Sequence, residues 1–98
     1  MKFLLLSRHT GGKEVPENKK EQNEKDFLEW ITLLKASTVL PVKGGKTVTI
    51  ENVEDYQGSV AGALFFEADS LEAAVALAKK SPGLQYGWTH DILQEMSV

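Results

Sequence analysis

Two short apolar runs constrain this chain more than any other feature. Phe3-Leu4-Leu5-Leu6 and Val60-Ala61-Gly62-Ala63-Leu64-Phe65-Phe66 both lack the polar alternation of a half-exposed strand. Runs of this length, bounded by polar or glycine-containing segments, read as strands buried in the middle of a sheet. Each precedes a segment of helical pattern, so the chain repeats a strand-then-helix unit. The first run is too short for a secretory leader, which needs about 7–15 apolar residues, or for a membrane span of about 20. A cytoplasmic protein without membrane attachment is expected. With 98 residues the chain has the length of one small domain, residues 1–98.

Along the chain, the first strand covers Lys2 to about Arg8, and Thr10-Gly11-Gly12-Lys13 breaks it. From Pro16-Glu17 the pattern turns helical, with proline where a first-turn proline is tolerated. The stretch to Asp26 mixes lysines with acids and reads as a solvated face, with Glu21–Lys25 in the favourable i,i+4 order. Phe27, Trp30, Ile31 and Leu34 then form one apolar stripe, widened by Leu28 and Leu33. The helix ends near Lys35–Ser37, before Thr38-Val39-Leu40-Pro41.

Lys43 to Lys46 is a turn, and Thr47 to Val53 alternates as a half-exposed strand does. Glu54–Ser59 is a loop into the second apolar strand, Val60–Ala68. Asp69 or Ser70 caps a helix with an inward stripe of Leu71, Ala74, Val75 and Ala78. Ser81-Pro82-Gly83 stops it, and a last strand runs from about Gln85 to Glu95. The order strand, helix, strand, strand, helix, strand predicts an α+β, ferredoxin-like βαββαβ fold with one four-stranded antiparallel sheet. Strands one and three lie centrally in that topology, and they are the two most apolar. Both helices cover one face, which leaves the other open and predicts a homodimer.

The opening Met1–Leu6, the helix segment Phe27–Leu34 and the block Ala61–Ala74 resemble YCII-related proteins of the DGPF-domain type. Ser81-Pro82-Gly83 and the last strand extend the similarity over nearly the whole chain. The resemblance implies a dimeric α+β barrel with a pocket in each subunit. Two motifs of that group are absent. Asn52-Val53-Glu54-Asp55-Tyr56-Gln57-Gly58 stands where the acid-Gly-Pro-Phe signature falls, and the first helix, about Asn23 to Phe27, holds no histidine for the group's histidine–aspartate pair. Fold and dimerisation carry over; no catalytic residue does. Without its proline and phenylalanine, the Glu54–Ser59 loop is expected to be mobile.

The remaining chemistry is sparse. No cysteine exists, so thiolate catalysis and cysteine-held metals are excluded. A net charge of −3 gives no general grip on nucleic acid. No phosphate loop, dinucleotide fingerprint or nucleophile elbow occurs, and two scattered histidines do not make a metal site; no cofactor is expected. Arg8 and His9 end the first strand and suit an anionic or carbonyl ligand, as hydrogen-bond donor and acid/base. Because they alternate, only one faces the helices.

Tyr86, Trp88, His90 and Ile92 share one strand face, while His90 and Asp91 point apart. Trp30 is first a core residue and second a pocket wall. The ligand-contact candidates are therefore Arg8, His9, Trp30, Trp88 and His90. Two functions remain open: a small-molecule-binding or regulatory homodimer without catalysis, and a cofactor-independent lyase, isomerase, hydrolase or oxygenase.

Overall fold

A computed structural model describes residues 1–9, 11 and 13–96; Thr10 and Gly12 of the expected chain break lie outside the described residues. Strand β1 (Lys2–His9) leads through a 3₁₀ turn at Glu17–Lys19 into helix α1 (Lys20–Leu34). Strands β2 (Thr38–Pro41), β3 (Lys46–Val48), β4 (Val53–Asp55) and β5 (Val60–Glu67) follow. Helix α2 (Leu71–Ala78), a second 3₁₀ turn at Leu84–Tyr86 and strand β6 (Trp88–Gln94) complete the chain. The main sheet is antiparallel in the order β2-β5-β1-β6, so the two apolar strands are central, as the topology requires. This is the ferredoxin-like α+β fold.

One strand assignment needs correction. Thr47–Val53 is extended for only part of its length and does not join the sheet; it turns back on itself as the β3–β4 hairpin. Thr49 and Asn52 close that turn through backbone and side-chain hydrogen bonds, and Lys46 pairs with Asp55 across its base. The hairpin is a separate two-stranded sheet, so Val48 and Ile50, both exposed, do not contribute to the open face of the main sheet. The sheet's edge position is taken by Thr38–Pro41, with Val39 opposite Leu64 and Pro41 opposite Gly62. A proline fits there because an edge strand leaves half its N–H groups unpaired. The expected loop from Glu54 opens with two β4 residues. Tyr56 then donates its N–H to Gly45, and its hydroxyl accepts from the Val60 N–H. Gly58 lies so close under the Tyr56 ring that no Cβ fits.

The other differences are local. Ser70, not Asp69, caps α2 by accepting the Ala73 N–H at 3.1 Å. Only Trp30 and Leu34 of α1 are buried, and Leu28 and Leu33 face outward. In α2, Ala74 and Ala78 are buried while Leu71 and Val75 are exposed. β6 begins at Trp88, after Gly87 adopts a left-handed φ of 84°, so Tyr86 is not on the strand.

The register sorts the helix-covered face into rows. Phe3 lies beside Phe66, and Leu5 lies between Leu64 and Ile92. With Trp30, Leu34, Ala74 and Ala78 these rows make the core. The next row is Ser7 between Gly62 and His90. Small and polar side chains replace bulky apolar ones there, so the core stops. A β-bulge between Ser7 and Arg8 marks the same place.

Candidate functional site

Where the core stops, a cavity of about 300 Å³ opens between the sheet and α1. Gly62 leaves its floor bare, since no side chain fills the place that Leu64 and Phe66 fill further along β5. Trp30, Trp88, Phe27 and Val39 give apolar walls; Ser7, Ser81 and His90 give the polar groups. Asn23 and Phe27 line it from α1, the stretch in which the family resemblance implies a histidine. Apolar walls with a few convergent polar atoms are the usual character of a small-molecule site.

His90 is the chemical centre of this cavity. Its Nδ1 lies 2.9 Å from the Ser7 hydroxyl and its Nε2 2.8 Å from the Ser81 hydroxyl. Its ring stacks on the Trp30 indole at 5.3 Å, and Trp30 is fixed by donating its own N–H to the Leu77 carbonyl at 2.9 Å. Burial pushes the His90 pKa below its ordinary value, against an opposing pull from Asp91. The neutral imidazole is thus favoured, held by one donor and one acceptor. Ser81 is itself buried and accepts the Gly83 N–H at 3.2 Å.

The structure brings together three of the five ligand-contact candidates. Trp30, Trp88 and His90 line one cavity. His9 lies on the helix-covered side but packs its ring on Trp88 at 4.9 Å and directs Nε2 at the Tyr86 carbonyl, 3.0 Å away. Arg8 points to the opposite face, where its guanidinium grips Asp91 with two bonds of 2.8 and 3.1 Å. His90 and Asp91 do point apart. Ser7 and Ser81 were missed by sequence reasoning. Ser7 had a visible signal, because it interrupts the Phe3–Leu5 apolar face; Ser81 had none beyond its role in stopping α2. Among the described residues no three histidine, aspartate or glutamate side chains converge as metal ligands, and no helix is long and apolar enough to cross a membrane.

The fold and this cavity define a ferredoxin-like module with a small-molecule-sized site between its sheet and first helix. The chain belongs to the YCII-related family, whose domain model matches residues 1–94. Its structure is similar to that of the 5-chloro-2-hydroxyhydroquinone dehydrochlorinase of Burkholderia phenoliruptrix AC1100, solved in complex with 2,5-dihydroxybenzoquinone. The two share 20% identity, with a TM-score of 0.59 over 98% of this chain and 94% of that one. No curated protein matches the chain in sequence.

Proposed function

We propose that this chain is a single-domain, homodimeric, cytoplasmic protein that binds a small, uncharged, planar molecule in the cavity at His90. The observation that carries this reading is the combination of bare floor, aromatic walls and one neutral imidazole between two hydroxyls. Among the lining residues His90 is the one ionisable side chain, kept neutral by its burial, and none is a carboxylate, lysine or arginine. Such walls favour a flat ring, and the serines and His90 suit a carbonyl or hydroxyl on it. The solved dehydrochlorinase complex, with its oxygenated ring, is in keeping with that ligand class. Homodimerisation is supported by the open sheet face, where Leu40, Phe65 and Leu93 stay about half exposed in the single chain.

A second reading, a cofactor-independent enzyme, is favoured by one specific observation: both nitrogens of His90 are engaged by hydroxyls of serines that line the cavity. The test of the binding reading is quenching of tryptophan fluorescence by cyclohexane-1,2-dione, hydroquinone and 4-hydroxybenzaldehyde. Saturable quenching is expected for the wild type and its loss for Gly62→Leu, which fills the floor. A Cβ at position 62 meets only ordinary contacts, at 3.7 Å or more, so that variant is expected to fold. Absence of saturable quenching with all three probes, or equal quenching of Gly62→Leu, would refute the site.

A further inference from the structure

We propose that Ser7, His90 and Ser81 form a neutral proton relay that interconverts the keto and enol forms of a small cyclic carbonyl compound held in the cavity. This rests on the binding reading above and goes beyond it by assigning a reaction class.

The relay is a continuous chain of heteroatoms, with spacings of 2.9 Å and 2.8 Å, and both of its ends line the same cavity. Either imidazole tautomer satisfies the two contacts, and the keto-binding state uses the one in which Ser81 donates to His90. In that state the Ser81 oxygen accepts the Gly83 N–H and its own proton is directed at Nε2. An imidazole that accepts at Nε2 carries its proton at Nδ1 and donates it to Ser7. The Ser7 hydroxyl proton is then free to face the ligand. The Trp30 ring, stacked on the imidazole, holds it in the plane that both serines need.

The step balances without any co-reactant. Ser7 gives its proton to the ligand carbonyl oxygen, and the Nδ1 proton moves to Ser7. The Ser81 proton moves to Nε2, and the Ser81 oxygen takes the proton from the ligand's α-carbon. The C–H electron pair becomes the new C=C bond, while the C=O π pair becomes the new O–H bond. The ligand is isomerised and the protein keeps its proton count, with the imidazole left in its other tautomer. The reverse reaction runs the same chain backward. No ionic intermediate need persist, which suits a cavity with no charged wall to stabilise one. Burial of His90, which favours the neutral ring, supports the same arrangement.

The experiment measures binding and turnover separately. Cyclohexane-1,2-dione is bound to the whole protein in D₂O. Its affinity is read from tryptophan quenching, and α-hydrogen exchange is followed by proton NMR. General acid–base groups contribute about 10²–10⁴-fold, so the wild type should exceed buffer by at least that lower factor. His90→Gln, Ser7→Ala and Ser81→Ala should each weaken binding of the probe and, at probe concentrations that saturate each variant, return exchange to near the buffer rate. Binding without accelerated exchange overturns the relay and leaves the binding reading intact; no binding of this or the other two probes overturns both. Loss in only one serine variant also overturns it, because a relay needs both ends. Should a variant fail to fold, the ¹⁵N shifts of His90 in the wild type decide. Two partly protonated nitrogens whose balance moves on ligand binding support the relay, and one tautomer unchanged with and without the probe overturns it.

Discussion

Replacing Trp30 with phenylalanine tests whether one side chain joins the core to the cavity. Trp30 is 4% exposed, donates to Leu77 and stacks on His90. Phenylalanine keeps an aromatic face but loses the N–H and part of the ring. The Leu77 carbonyl also accepts the Lys80 N–H at 3.2 Å, so it is not orphaned. The lost bond therefore costs a net value of about 1 kcal/mol rather than a full desolvation penalty. The unfilled part of the indole site adds about 1–2 kcal/mol. The sum, about 2–3 kcal/mol, is a large share of the roughly 5–15 kcal/mol available to a domain of this size. At about 4–8 °C per kcal/mol, the Tm should fall by about 10–20 °C. Urea unfolding followed by far-ultraviolet circular dichroism, with an unchanged m value, is the assay. A loss below about 1 kcal/mol would show that the Leu77 bond and the indole packing do not hold this corner, contrary to the reasoning.

Burial of His90 sets a pH dependence. Its folded pKa lies below the ordinary histidine value, so in that window the unfolded chain binds more protons and stability rises with pH. The Tm should be fullest above the unfolded pKa of about 6.5 and decline as pH falls through the lowered folded value. His90→Gln should flatten this decline in a thermal melt series, and an equal slope in both proteins would place the titration elsewhere. The open sheet face predicts a dimer at micromolar concentration by light scattering. Phe65→Lys, whose side chain shares that face with Leu4 and Leu93, should yield monomers with the cavity still able to bind its probes. A wild-type monomer would contradict this prediction.

The apolar runs of β1 and β5 marked the centre of the sheet by themselves, because consecutive apolar side chains suit strands with a neighbour on each edge, although the open face leaves Phe65 about half exposed in the single chain. Trp30 and Leu34 likewise announced the buried stripe of α1 through helical spacing. Thr47–Val53 shows the limit. Its alternation correctly signals extended backbone, but alternation does not say which strand will be the partner. The hairpin was decided by the Thr49–Asn52 turn, and the sheet edge went to Thr38–Pro41, which reads as no more than a helix terminator. The site divides in the same way. Trp30, Trp88 and His90 stand out as side chains able to line a pocket, while the choice between Arg8 and His9 depends on which face each occupies. Only the tertiary register put Ser7 beside His90, 83 residues away in sequence, with Ser81 at its other nitrogen. The cavity itself arises from a row, Ser7–Gly62–His90, whose members come from three strands. A void is a property of side chains missing from one place, and only the assembled sheet defines that place.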